Sequence, residues 1–210
     1  GSASTGKSAV SSSIVIDNPI GMNDSLGLTF RRSTPFAPWK YSSSITTSYT
    51  LPYGYWTFSL AGNASDYVTR IPLSSGATAK SSGTTLDISG TVDRVLYRTQ
   101  ASRLSAYGTL TSKKVLNYLE ESLISVSSYS IAPLEVGVSY NTLFFGGLTD
   151  IQLAFTKGLG PKLLGINGEI EGQNDRGIDM RFDKFTANLG YTKPLRIGVN
   201  NEVVFSSRLS

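Results

Sequence analysis

Neither cysteine nor histidine occurs among the 210 residues, and only 16% are charged. Without cysteine there is no disulfide and no thiolate metal site. Without histidine the commonest general base and metal ligand are missing, which excludes Ser-His-Asp, Cys-His and zinc chemistry. The charged fraction lies well below the roughly 25% usual in soluble domains. Basic residues are sparse as well: net charge is +4, and nothing is denser than Lys113-Lys114 or Arg31-Arg32. A nucleic-acid footprint needs more than that. No run of about 18 apolar residues exists, so a transmembrane helix is excluded. No signal peptide is read at the opening Gly1-Ser-Ala-Ser-Thr-Gly6, which reads as a loop, so an internal fragment or processed product is expected.

What is abundant is Ser, Thr, Gly and Tyr in strict alternation with apolar residues. In Tyr41 to Leu51 every even position is Ser or Thr, while Tyr41, Ile45, Tyr49 and Leu51 occupy odd ones. After Pro52-Tyr53-Gly54, Trp56, Phe58 and Leu60 alternate with Thr57, Ser59 and Ala61. A period of two places one set on each face of a pleated strand. One face is greasy and the other hydroxylated, which suits a membrane barrel with lipid outside and water inside. It also suits a sandwich whose polar face is wet.

The same period recurs along the chain. Ile14 and Ile16 share a face in Lys7 to Asp17, and Asp17 to Asp24 is a turn built from Asn, Pro and Gly. Leu26, Leu28 and Phe30 come next, and a loop covers Thr34 to Lys40. Val68 to Gly83 is polar and aperiodic, read as a long loop; Leu86 to Val92 and Leu104 to Leu110 are in phase on either side of a turn at Arg98 to Ser102. Asn117 to Ser122 reads as a loop and Ser122 to Tyr140 as a long strand region, with Pro133 placing a bulge that rephases Tyr129 and Ile131. Asn141 to Gly147 is a turn; Ile151 to Phe155 and Phe185 to Tyr191 are strands separated by a Gly-rich loop, Gly158 to Gly177. Lys193-Pro194 starts a turn, and Val199 to Leu209 closes the series.

This amounts to about ten antiparallel strands, with short and long linkers alternating as they do on the two rims of an outer-membrane barrel. Aromatics fall into two girdles, Tyr53, Tyr55, Trp56, Phe144 and Phe145 near one rim and Phe30, Trp39 and Tyr41 toward the other. Charge respects the same division. Arg31, Asp87, Asp93, Glu135 and Glu202 fall in the polar columns, and the apolar columns carry none at mid-strand. The fold expected is all-β, an antiparallel transmembrane β-barrel. The candidate lumen-lining residues are Arg31, Thr46, Ser48, Ser59, Asp87, Asp93, Tyr107, Glu135 and Glu202.

Three constellations that could carry chemistry do not. Gly1-Ser-Ala-Ser-Thr-Gly6-Lys7-Ser8 matches the phosphate-loop spacing, but that loop must feed a helix, and the β-branched, Ser-rich run after it disfavours one. Asp87 and Asp93 share a face about 20 Å apart along a strand, too far to share a proton. Asp175, Arg176 and Asp179 lack the further oxygen ligands of a calcium site. No catalytic residue, cofactor, metal or nucleotide is expected, and the protein is not read as an enzyme.

Asp17-Asn-Pro-Ile-Gly-Met-Asn-Asp24, Pro52-Tyr-Gly-Tyr-Trp56, Tyr97-Arg98 and Asn117-Tyr-Leu119, with the opening Gly1 to Gly6, resemble the transporters of two-partner secretion. These are outer-membrane exporters of haemagglutinins, haemolysins and contact-dependent inhibition toxins, related to the BamA superfamily. The resemblance spans essentially the whole chain. It implies periplasmic POTRA domains, a sixteen-stranded barrel and a Val-Arg-Gly-(Tyr/Phe) pore loop in the complete protein. By it, Gly1–Gly6 is the first extracellular loop and Lys7–Ser210 is strands two to eleven; the first strand, the POTRA domains and the pore loop are expected outside residues 1–210. It implies export of a large passenger protein in an outer membrane of Gram-negative type, with the lipid bilayer as second partner, no nucleic acid or nucleotide, and a monomeric full-length protein. The competing readings are a passive diffusion porin and a soluble β-sandwich adhesin.

Overall fold

The computed structural model describes residues 8–34, 37, 39–72, 76–161, 170, 180–196 and 202–209, with side chains described as far as residue 194. Among the described residues, twelve strands form one antiparallel sheet. They are β1 (Ser8–Asp17), β2 (Ser25–Thr34), β3 (Tyr41–Tyr53), β4 (Trp56–Pro72), β5 (Thr78–Arg98), β6 (Ser102–Leu119), β7 (Ser122–Leu123), β8 (Tyr129–Ile131), β9 (Pro133–Phe144), β10 (Gly147–Gly158), β11 (Asp183–Arg196) and β12 (Glu202–Leu209). Each long strand pairs with its sequence neighbours from β1 to β12, except that β9 follows β6 directly and the short β7 and β8 pair with β6. Hairpin after hairpin with no crossover is the topology of an up-and-down barrel wall.

The sheet is inverted with respect to a soluble protein. Among the described residues, the buried hydrophobics are Ala37, Ala79, Ala132, Ala154 and Ile170, whereas Asp24, Ser33, Ser81, Ser105, Ser112, Ser128, Ser130 and Thr156 are buried polar residues. Trp56 is 38% exposed, Phe58 41% and Leu60 60%. No second sheet covers them among the described residues, which removes the sandwich reading. Along β2, β5 and β9 the apolar positions are exposed and most of the polar ones between them half-buried. Side chains converge inside a curved sheet and diverge outside it, so the polar face is the concave one.

The apolar face has limits. On β5 it runs from Arg94, which stacks on Trp56 with its guanidinium carbon 4.9 Å from the ring centroid, to Leu86, paired with Lys114. Eight residues of strand rise about 27 Å, or about 20 Å along the normal at a tilt of ~40°, close to the height of a membrane band.

Several sequence expectations need correction. The aperiodic Val68–Gly83 is not a long loop: β4 continues to Pro72, and β5 starts at Thr78. Beyond the membrane band both faces meet water, so alternation fades while the backbone ladder persists. For the same reason β6 extends to Leu119, and β9 and β10 run into a tight Phe145-Gly146 turn at φ 48° and 73°. Likewise β11 passes through Pro194 to Arg196 instead of turning there. Ser122 to Tyr140 is not one strand but β7, a 3-10 turn (Ser125–Ser127), β8 and β9. Pro133 makes no bulge, since Ile131 pairs with Lys113 and Leu134 with Leu110 in one unbroken register. The bulge lies in β5 between Val95 and Tyr97, and it puts Tyr97 opposite Leu104 on the apolar face. Residues 1–7 and the Gly-rich 162–169 and 171–179, with Asp175, Arg176 and Asp179, lie outside the described residues. Ser8–Asp17, which a phosphate loop needs as helix, is strand.

Candidate functional site: the polar face

Directly opposed residues of an antiparallel pair point to the same side, so the register assembles the site row by row. One row reads Ser13, Thr29, Thr46, Asn63, Asp87, Lys113 from β1 to β6. Within it the Ser13 and Thr29 hydroxyls lie 3.0 Å apart, and the Thr46 hydroxyl donates to Asn63 Oδ1 at 3.1 Å. A second row reads Ser59, Thr91, Thr109, Glu135, Thr156, with the two threonine hydroxyls 2.9 Å apart. A third reads Asp93, Tyr107, Gly137, Ala154. Ser48 stands between Gly27 and Ala61, and Arg31 between Ser11 and Ser44. Glu202 is opposite Arg196 in the backbone ladder, and its side chain lies outside the described residues. The other eight candidates all stand on the one polar face.

Tyr107 is the centre of its densest network. Its hydroxyl donates to Glu135 Oε1 at 2.9 Å and accepts from Gln152 Nε2 at 2.7 Å. Thr156 donates to Glu135 Oε2 at 3.1 Å, and Asn188 Nδ2 to Gln152 Oε1 at 3.1 Å. The ring lies flat because Gly137 is beneath it: a Cβ there would meet Tyr107 Cζ and Oη at 2.7 Å. Tyr67 repeats the device, crossing Gly83 to reach Asn117 Oδ1 at 3.0 Å. Toward the turn end Arg103 bridges to Asp93 at 3.3 Å. Sequence reasoning missed Asn63, Arg103, Gln152, Thr156 and Asn188. Each shows only as a polar residue in the right phase, and register is what joins it to a partner.

The Asp17–Asp24 turn is held from within. Asp24, 2% exposed, accepts the amides of Ile20 and Met22 at 3.3 and 3.4 Å and the Tyr49 hydroxyl at 2.9 Å. Asn18, at φ 57°, accepts the Asn23 amide at 2.7 Å. Burial by itself raises the Asp24 pKa. The Tyr49 hydroxyl and the amides of Asp24, Ile20 and Met22 outweigh it and hold the carboxyl below its ordinary value.

Chemically, the face is a wall of hydroxyls, amides and paired charges that can exchange hydrogen bonds with water or an extended chain. No group of three His, Cys, Asp or Glu converges on it among the described residues. No helix of the described residues is long and apolar enough to cross a membrane, which says nothing of a barrel.

Comparison with known proteins agrees with this geometry. The chain is 26% identical over 198 residues to the outer membrane transporter CdiB of Dickeya dadantii, covering 93% of the chain and 34% of that protein. It is 32% identical over 162 residues to CdiB-2 of Burkholderia pseudomallei (76% and 27% covered) and 28% over 159 to the hemolysin transporter ShlB of Serratia marcescens (76% and 28%). It therefore spans about a third of the length of these relatives or slightly less. Among solved structures, CdiB from Escherichia coli superposes with a TM-score of 0.85 at 23% identity, over 99% of this chain and 38% of that one. CdiB from Acinetobacter baumannii superposes at 0.73 and 22%, over 94% and 34%; both confirm the fold. The family profile of haemolysin secretion/activation proteins ShlB/FhaC/HecB matches residues 1–210, and the chain belongs to that family.

Proposed function

We propose that the chain is part of the barrel wall of an outer-membrane translocator that exports a large partner protein by two-partner secretion. The observation that carries this is the inverted sheet, apolar outward and hydroxylated inward, in a chain of this family. On this reading the segment supplies strands two to eleven of a sixteen-stranded, monomeric barrel. Arg31, Thr46, Ser48, Ser59, Asp87, Asp93, Tyr107, Glu135 and Glu202 line its lumen. The passenger passes unfolded along that wall and folds outside. Its folding supplies the drive, and no catalytic step is needed. Hydroxyl-lined rows offer an extended chain water-like partners and no greasy patch on which to lodge.

The test is the full-length protein carrying Thr46→Leu, Ser48→Leu and Ser59→Leu together. The barrel still inserts, and secretion of its passenger slows by about fivefold, the factor given by about 1 kcal/mol of added apolar adhesion. Unchanged secretion rejects the lumenal role. Ion conductance with no passenger secretion by the unaltered protein would favour a diffusion porin instead.

A further inference from the structure

The apolar face is not smooth. A groove of about 530 Å³ runs along its outer side where β3, β4 and β5 meet β6. Ala64 forms the floor, because its short side chain lies between Ile45 and Leu86 in the same row. Phe30 and Ile45 make one wall, and Leu86 and Leu116 the other. The groove's charged lining residues are Asp66 and Lys114. Asp66 lies one row beyond Ala64 toward the β4–β5 connection, and Lys114 closes the Ala64 row itself on the β6 side.

These two charges are not equivalent. Asp66 accepts a hydrogen bond from Ser43 and faces the Tyr41 hydroxyl, while Arg32 stacks on the Tyr41 ring at 5.2 Å. Its charge is engaged. Lys114 is half-buried and has no hydrogen-bond or ion-pair partner among the described residues. Its neighbours across the ladder are Leu86 and Ser130. A cation at a hydrocarbon boundary is costly without an anion. A second groove, of about 650 Å³ among Ala106, Val136, Leu153, Phe155 and Phe185, is lined without any charged residue and serves as a comparison.

Resting on the reading that this face meets lipid, we propose that the first groove is a binding site for an anionic, phosphate-bearing membrane lipid. An acyl chain fills the trough over Ala64, and the headgroup phosphate takes the Lys114 ammonium. The alternation of large and small residues shapes the trough. The Lys114 cation beside it selects the charge.

The experiment uses the full-length protein in nanodiscs of phosphatidylcholine containing phosphatidylglycerol, with retained lipid counted by native mass spectrometry. The unaltered protein retains phosphatidylglycerol about tenfold over phosphatidylcholine, as expected for one charge-assisted hydrogen bond. Lys114→Gln abolishes that preference and Lys114→Arg keeps it. Ala64→Leu, which fills the trough, lowers retention of both lipids, while Ala187→Leu in the second groove leaves the preference intact. Equal retention by the unaltered protein and Lys114→Gln overturns the proposal, as does displacement of the lipid by millimolar inorganic phosphate. Passenger secretion by Lys114→Gln stays at the unaltered level, so a failed lipid site is told apart from a failed translocator.

Discussion

Gly137→Ala is the most informative single change in the polar wall. An added Cβ would meet Tyr107 Cζ and Oη at 2.7 Å and the Leu153 carbonyl oxygen at 2.8 Å, all inside normal contact. The strand cannot yield easily, because Gly137 is paired with Tyr107 on one side and Ala154 on the other. Tyr107 must therefore lift, breaking its bonds to Glu135 and Gln152. In a dry interior one charged and one neutral hydrogen bond are together worth about 2–4 kcal/mol; at this half-open face water recovers part, leaving about 1–2. Tyr107→Phe isolates that loss. Gly137→Ala adds the displaced carbonyl, for about 2–3 kcal/mol in all. If both changes break the same bonds, Tyr107→Phe costs almost nothing in a Gly137→Ala background. Urea unfolding of the full-length protein in lipid vesicles measures the cycle. Additivity within about 0.5 kcal/mol would mean that Gly137 and Tyr107 act independently, and the packing argument would fail.

Face assignment is tested by moving one charge across the sheet. Leu60→Arg destabilises the inserted protein by about 2–4 kcal/mol, whereas Ser59→Arg, one residue away, leaves folding in vesicles nearly unchanged; equal effects would reject the assignment. Asp24, with its pKa depressed in the fold, contributes stability that is complete above the ordinary carboxylate value of 3.8 and fades as pH falls through the lower folded value. Thermal midpoints of the unaltered protein should drop in that acid window, while Asp24→Asn, less stable at neutral pH, changes little across it. A matching acid decline in Asp24→Asn would assign the effect to other carboxylates. Tyr67→Phe should cost less than removal of its partner: Asn117 also donates to the Ser127 carbonyl, 2.8 Å away, so Asn117→Ala loosens the 3-10 turn as well. Hydrogen exchange at the amides of Ser127 and Ser128 reads the difference.

Alternation alone determined the strands of the membrane band and their faces. A residue between lipid and lumen has no third environment, so Leu60 and Ser59 declare their sides without any knowledge of neighbours. Composition likewise excluded histidine and thiolate chemistry outright. Alternation says nothing where both faces are wet, which is why the ends of β4, β5 and β6 read as loop and the β5 bulge near Tyr97 leaves no sequence signal. Nor does it carry register. That Tyr107 reaches Gln152, 45 residues on, or that Lys114 stands beside Leu86, depends on which residues pairing sets opposite one another. Hydrogen bonds across strands are long-range in sequence, and only the assembled sheet decides them.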